Sequence, residues 1–346
     1  MNLDSSRPAA ATANHPVPDY FCPIHHQRLT RSGSSARCPQ CELPFPIEED
    51  IWLLDVVHRG DRSAFDQQVT TSPIPLDLSR AEGMLSAAGI ENLENANILD
   101  IGCGLGDLCA GLARSPRVRA SRIYAFDHSI ESVRIAQRGA LDPRNAESGN
   151  QLHFSTQDAS RLGFEPESFD LIAGSAVLHH ITDYPDFLRR LYSLLKTSGI
   201  AIFAEPFAEG YLWLCVLLRI AVNDLNLGAF DDPELGMCRF ILESTEYRVA
   251  HAEESALLDE LIDKHFFRID RVVDVASKIG YRTARFKNFA PPSFYEAWMT
   301  HFLDIYGIRH SGLRARAEEL YGQLKKSTGP ALPDMMSHFR YFSLHK

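Results

Sequence analysis

The segment Asn97-Ile-Leu-Asp-Ile-Gly-Cys-Gly-Leu-Gly-Asp-Leu constrains this chain more than any other. Apolar, strand-forming residues with Asp100 near their end run directly into Gly102, Gly104 and Gly106, and helix-forming sequence follows. Glycines placed there let the backbone turn tightly and approach a ligand closely. A strand, a glycine turn and a helix open an α/β unit, and the chain repeats the alternation. Strands are expected at Asn97–Gly102, Arg122–Asp127, Leu152–Asp158, Phe169–Ala176 and Gly199–Pro206. The clearest intervening helix is Pro185–Lys196, with Pro185 in its first turn and Gly199 as its stop. The glycine spacing is G-x-G-x-G rather than the G-x-G-x-x-G of dinucleotide folds, and no Gly-Lys-Ser/Thr follows to cradle a triphosphate.

Acidic residues recur where the expected strands end. Asp127 closes the second strand, where a carboxylate can accept both hydroxyls of a ribose. Asp158-Ala159 closes the third, within reach of an adenine amino group. The fourth runs into a loop bearing Ser175, His179 and His180, and the fifth ends on Glu205-Pro206. Ligands bind at the carboxyl ends of strands in open α/β sheets. Any one of these aspartates alone fits turn chemistry or a helix cap equally well.

Together, Ile98 to Leu108, Tyr124-Ala-Phe-Asp-His-Ser, the Asp158 strand and Phe169 to His180 resemble the motif series of class I S-adenosylmethionine-dependent methyltransferases. The resemblance covers residues 91–206, and more loosely 271–289 with 339–346. It implies a Rossmann-like, doubly wound α/β sheet ending in a reversed hairpin, here supplied by Tyr281–Phe289 and Phe339–His345. It also implies that Asp100, Gly102, Cys103, Gly104 and Gly106 surround the methionine part of the cofactor. Asp127 would hold the ribose, His128 flank the adenine, Asp158 and Ala159 meet its edge, and Ser175 complete the set. The 49 residues between the last two strands depart from the short turn of the family.

Methyl transfer is an in-line displacement, so positioning and desolvation carry much of it, while a hydroxyl or ammonium acceptor must also lose a proton. His179, His180 and Glu205 are the candidate catalytic residues. The His pair either accepts that proton or only shapes the cofactor pocket, and Glu205 either binds an acceptor amine or caps the first insertion. Substrate choice is expected in two helical insertions, 207–270 and 290–338. The first holds 13 acidic and 5 basic residues, a net of −8, which suits a cationic or neutral acceptor or simply marks a solvated face. Helical spacing there includes Leu257, Leu258, Leu261 and Ile262. The second is aromatic (Phe294, Tyr295, Trp298, Phe302, Tyr306), with core packing favoured over substrate stacking.

The amino-terminal part reads as a tail over 1–19, a unit over 20–55, and a connector over 56–90 whose helix begins near Leu76. Cys22-Pro-Ile-His25 and Cys38-Pro-Gln-Cys41 form C-x₂-H and C-x₂-C hooks twelve residues apart, the spacing of a structural tetrahedral zinc site with no open position. The unit is similar to the zinc ribbon that opens certain ribosomal-RNA guanine methyltransferases, which raises an RNA base methyltransferase as the rival reading. With 3 Arg against 5 acidic groups, however, the unit lacks the cations an RNA-binding ribbon needs. A lid or a homodimer contact is the expected role.

The full chain of 346 residues carries a net charge of −10, which disfavours nucleic acid and anionic membrane surfaces. No secretory leader is visible at the start, and the longest apolar run, Tyr211 to Val222, is too short to span a bilayer. Seven cysteines then read as thiols or metal ligands in a cytoplasmic setting. The resulting expectation is a methyltransferase with a small-molecule acceptor, using S-adenosylmethionine and a structural Zn²⁺. The alternatives are the RNA enzyme and a non-catalytic S-adenosylmethionine-binding protein.

Overall fold

The computed structural model describes residues 19–55, 79–140, 149–227, 235–252, 257 and 261–346. Eleven strands share one sheet. In chain order they are β1 (Thr30–Ser32), β2 (Ser35–Arg37), β3 (Pro44–Glu48), β4 (Ile51–Leu53), β5 (Asn97–Ile101), β6 (Arg122–Asp127), β7 (Gln151–Thr156), β8 (Phe169–Ser175), β9 (Leu195–Pro206), β10 (Thr283–Asn288) and β11 (Phe339–His345). Across the sheet they run β1-β2-β3-β4-β7-β6-β5-β8-β9-β11-β10. From β4 to β9 neighbouring strands are parallel, and β11 is antiparallel to both β9 and β10, giving the expected reversed hairpin.

The helices needed here are α1 (Ser79–Ala88), α2 (Asp107–Arg114), α3 (Ile130–Ala140), α4 (Tyr184–Leu194), α5 (Ala208–Asp224), α6 (Gly236–Ala250), α7 (Ile269–Ile279), α8 (Trp298–Ile305) and α9 (Ser311–Thr328). Side chains alternate across a strand, so each face of the sheet has its own core. Leu99 and Ile101 join Leu188, Leu191 and Val272 of α4 and α7 on one face. Ile98 joins Met84, Leu112 and Val133 of α1, α2 and α3 on the other. A third apolar cluster, built around Leu214, Leu218, Trp298, Phe302, Leu313 and Tyr321, unites the two insertions over the carboxyl end of β9. Gly210 in α5 lies so close to His338 that a Cβ there would come 2.5 Å from its backbone nitrogen. Most of the second insertion's aromatics are therefore core, as expected, and the 211–222 run is a packed helix. No described helix is long and apolar enough to cross a membrane.

Boundaries differ from expectation where tertiary pairing decides them. The 185–196 helix ends at Leu194, because Leu195 turns extended and pairs with Phe169, so β9 starts four residues before Gly199. Asp158 lies beyond the end of β7. Leu261 and Ile262 are not helical, and Leu258 lies outside the described residues. So do the tail up to residue 18 and the connector from 56 to 78, including the expected helix start at Leu76.

The amino-terminal unit does not lie over the site as a lid. Its last strand lengthens the sheet: β4 pairs with β7 through Trp52 opposite Ser155 and Leu53 opposite Thr156, and Leu54 donates to Thr156 O at 2.9 Å. An exposed parallel edge is a template for unwanted pairing, and this unit covers it. Tyr20 and Trp52, each 1% exposed, sit at the seam. Tyr20 is 5.0 Å from Trp52, 5.6 Å from Phe164 and 6.0 Å from Tyr124 between ring centroids. Glu48 pairs with Arg134 of α3 at 2.8 Å. Trp52→Ala should therefore cost about 3–5 kcal/mol in denaturant unfolding of the whole protein. A loss below about 1 kcal/mol would show the unit to be only loosely attached.

Candidate active site

The glycine turn after β5 adopts left-handed backbone at Gly102, Gly104 and Gly106, with φ of 61°, 49° and 94°. A Cβ on Gly102 would come 2.4 Å from the Val177 side chain, whereas one on Gly104 would meet nothing within 4 Å. The Gly104 position thus faces open space, and its amide donates to Asp127 Oδ2 at 3.0 Å. The other oxygen of Asp127 accepts the Ser129 amide at 3.0 Å and lies 3.0 Å from His128 Nδ1. Burial works to raise this carboxyl, but the bonds from His128, Ser129 and Gly104 outweigh it and hold it below the usual carboxylate range. Cys103 is buried behind the turn, and burial pushes its thiol well up, away from nucleophilic use.

Asp100 shares the face of Ile98 on β5 and is fully buried, with no hydrogen-bonding partner on either oxygen among the described residues. Burial raises its carboxyl well above the usual value; the Cys109 amide, which approaches it outside hydrogen-bond geometry, opposes this. A buried carboxylate left this way is costly and points to a partner from outside the chain. Asp158 and Ala159 are half-buried beyond β7. The Asp158 carboxylate accepts the Ser160 amide at 2.7 Å, so the aspartate also performs the turn chemistry that its sequence allows. The amino-terminal unit steadies this loop, since Phe21 donates to Gly163 O at 2.9 Å.

Two cavities open beyond the carboxyl ends of β8 and β9. The first, about 250 Å³, is lined by Arg80, Ser175, Ala176, Phe289, His338 and Phe339. The second, about 260 Å³, is lined by Ala176, His179, Pro206, Tyr211, Arg248, Asp263, Phe266, Tyr306 and Phe339. Ala176 and Phe339 line both. Ala176 is held in the left-handed region at φ 54°, an uncommon state for a residue with a Cβ, and it donates to Ala204 O at 2.9 Å. In the first cavity the Arg80 Nε is buried without a partner among the described residues. Burial and the nearby His301 hold His338 down near 4, so its ring is neutral and serves as wall.

Of the three residues proposed for proton transfer, only His179 lines the second cavity. His180 does not line it: its Nδ1 donates to Ile262 O at 2.9 Å and lies 3.5 Å from the Asp263 carboxylate. Glu205 faces neither an acceptor nor the insertion. Its side chain is fully buried behind His179, 2.6 Å from Nδ1, and accepts the Val177 and Leu178 amides at 3.0 and 2.7 Å. Asp263 lies 3.5 Å from His179 Nε2. Burial alone would lower the His179 imidazole, but Asp263 and Glu205 together raise it to about 9. The same contact with His179 lowers the Asp263 carboxyl.

The four amino-terminal ligands converge. Cys22 Sγ lies 3.8 Å from His25 Nδ1 and 3.9 Å from Cys41 Sγ, and Cys38 Sγ lies 3.9 Å from the same His25 nitrogen. Tetrahedral zinc, with bonds of about 2.3 Å to sulfur and about 2.0–2.1 Å to nitrogen, sets ligand atoms roughly 3.5–3.8 Å apart, so the set fits that metal. His26, the ring next to His25 in sequence, is exposed and outside the cluster.

Sequence reasoning missed Arg80, Tyr211, Arg248 and Asp263. Tyr211 falls within an apolar run and Arg248 within a charged one, while Asp263 reaches His179 across more than 80 residues. Its placement is set by backbone stitching: Lys264 donates to His179 O and Phe267 to Pro206 O, both at 2.9 Å.

Comparison with known proteins agrees with this geometry. Residues 79–249 match the family Methyltransf_23, a methyltransferase domain. A ubiquinone biosynthesis O-methyltransferase of Chelativorans sp. (strain BNC1) is 32% identical over 111 residues, covering 32% of this chain and 40% of the relative. An arsenite methyltransferase of Rattus norvegicus is 28% identical over 125 residues, covering 34% of this chain and 33% of the relative. The chain thus spans two-fifths or less of the length of these two relatives. Among solved structures, a Haemonchus contortus phosphoethanolamine N-methyltransferase 2 in complex with S-adenosyl-L-methionine superposes with a TM-score of 0.49 at 17% identity, over 88% of this chain and 61% of the other. Residues 79–249, set on the sheet described above, are thus a methyltransferase domain, in keeping with the class I S-adenosylmethionine-dependent motif series that runs through them.

Proposed function

We propose that this protein methylates a small-molecule acceptor, with S-adenosylmethionine reaching the first cavity and the acceptor in the second. The observation that carries this reading is that Ala176 and Phe339 line both cavities, which makes them neighbours, with the His179 imidazole on the wall of the second. Asp127 would take the ribose hydroxyls in the open space above Gly104. Asp100, buried and without a partner among the described residues, is matched by an ammonium group, and the Arg80 guanidinium by a carboxylate, the two charges of an amino-acid moiety. His128, Asp158, Ala159 and Ser175 complete the cofactor set on this reading. When bound, S-adenosylmethionine supplies a methyl group on a sulfonium, which leaves as a neutral thioether when the acceptor displaces it. Relatives named for ubiquinone biosynthesis and for arsenite suit a metabolite acceptor. The ribbon offers RNA little cationic surface, since Arg28 and Arg31 are paired with Asp19 and Asp50.

His179 is the proton acceptor on this reading. Glu205 can only accept at Nδ1, so it keeps the proton there and leaves the Nε2 lone pair toward the cavity when the ring is neutral. The acceptor's proton then goes to Nε2, and the resulting imidazolium is stabilised between Glu205 and Asp263. His180 is a positioning residue that holds Ile262 beside Asp263. Structural Zn²⁺ would be held by Cys22, His25, Cys38 and Cys41, tying down the strands that extend the sheet.

Three outcomes test these assignments. Asp127→Ala should weaken S-adenosylhomocysteine at least about tenfold in calorimetry; unchanged binding sinks the cofactor assignment. Because the folded protein raises His179, its basic form grows as pH rises through about 9, so methyl transfer should accelerate up to that region. Asp263→Asn removes one of the two supporting carboxylates and should move the turning point to lower pH; an unshifted profile rules out His179 as the titrating base. Metal analysis should find about one zinc per chain, absent from Cys38→Ser, and a stable metal-free wild-type protein would refute the zinc site.

A further inference from the structure

The acceptor cavity contains one feature that methyl transfer as such does not require. Arg248, on α6, projects its guanidinium into the cavity, where it lies 4.1 Å from the centroid of Phe266. Its Nε donates to Ser244 O at 3.2 Å, and among the described residues no carboxylate pairs with it. A guanidinium stays charged in any protein setting, and this half-buried one has only the Asp263 carboxylate acting on it from a distance, with no ion pair in contact, so its donors are left for a ligand. Asp263 is on the same cavity wall but does not meet it, being engaged with His179.

The space between these two charged groups is aromatic. Tyr211 stacks on Phe266 with centroids 4.2 Å apart and planes inclined by 23°. Tyr306 and Phe339 close the other sides. Flat aromatic walls favour a planar ring, which they can meet face-on or edge-on. The volume of about 260 Å³ lies just below the range of drug-sized ligand pockets, which starts at about 300 Å³, so the fit is to a compact, one-ring molecule.

We infer that the acceptor is a compact aromatic hydroxy acid, its ring held between Tyr211, Phe266 and Tyr306, its carboxylate on Arg248 and its hydroxyl directed at His179. This inference rests on the methyltransferase reading and goes beyond it by giving the acceptor a charge and a shape. Arginine's planar fork matches a carboxylate bidentately, and a cationic acceptor in the same slot is repelled by it. The proposal reverses the expectation drawn from the −8 of the first insertion, because, apart from the His179 ring, Arg248 and Asp263 are the only charged side chains lining this cavity among the described residues.

Three probes that share the phenol ring and carry an anionic, a neutral or a cationic meta substituent of similar size decide the matter: 3-hydroxybenzoate, 3-hydroxybenzamide and 3-hydroxybenzylamine, titrated into the full-length protein saturated with S-adenosylhomocysteine. The acid should bind about tenfold or more tighter than the amide, with the amine weakest. Arg248→Met should erase that order, and Arg248→Lys, which keeps the charge but not the fork, should retain part of it, with thermal unfolding confirming that both variants fold. The inference is overturned if the amine binds as well as the acid, if the order survives Arg248→Met, or if none of the three binds. Failure of the wild-type protein to bind S-adenosylhomocysteine would instead bring down the methyltransferase reading, an outcome separable from any of these.

Discussion

A carboxylate with no solvent contact is tolerated only when its lone pairs are met by donors, and Glu205 is that group here. All three of its donors, the Val177 and Leu178 amides and the His179 ring, come from one three-residue stretch after β8. Glu205 sits on the neighbouring strand, one step beyond the pairing of Ser175 with Ala204. It therefore fixes the path by which the chain leaves β8. That path forces Ala176 into the left-handed region and seats Val177 where any Cβ on Gly102 would collide. The partition between the cavities, the orientation of His179 and the shape of the glycine turn all depend on this one anion.

Around that anchor the protein uses backbone pairing to bring distant segments into place. The stretch after α6 returns to the site as a short parallel bridge between Phe207 and Phe267, and Ala208 donates to Phe267 O at 2.8 Å. At the opposite margin β4 extends the sheet beside β7, and Phe21 is bonded to the loop that follows Asp158. The amino-terminal unit is thus coupled to the adenine end of the expected cofactor site through main-chain contacts, and its aromatic residues share one core with Leu99 and Tyr124. A sheet edge that would otherwise be exposed becomes an interior.

Much of this was legible in the sequence because the signals were local. The glycine turn, the Asp127 strand end and the Leu-His-His segment are each contained within a dozen residues, and their strands were placed to within a few positions. The convergence of Cys22, His25, Cys38 and Cys41 needed only the spacing of the two Cys/His hooks. What was not legible is what depends on three-dimensional return. Glu205 shows no sign in the sequence that it faces His179 rather than an acceptor, since that depends on which strands are neighbours and in what register. Arg248 lies in a stretch with no motif signal, and Asp263 follows apolar residues whose helical spacing says nothing of His179; only the stitching of Lys264 to His179 O gives Asp263 a role.

Charge shows the same limit from another side. The first insertion sums to −8, but a sum has no position, and exposed charges farther than about 10 Å are screened by salt. Several of those acids are engaged at the outer surface: Glu246 pairs with Arg219, and Asp224 with Arg316 at 2.6 Å. Arg248 is half-buried against an aromatic ring, where the effective dielectric is lower and a single charge weighs more than several solvated ones. The potential an acceptor meets is therefore set by the few groups that line its cavity, and there a cation and an imidazole supported by two carboxylates face one another across an aromatic slot. An insertion can be acidic as a whole and still recognise an anion.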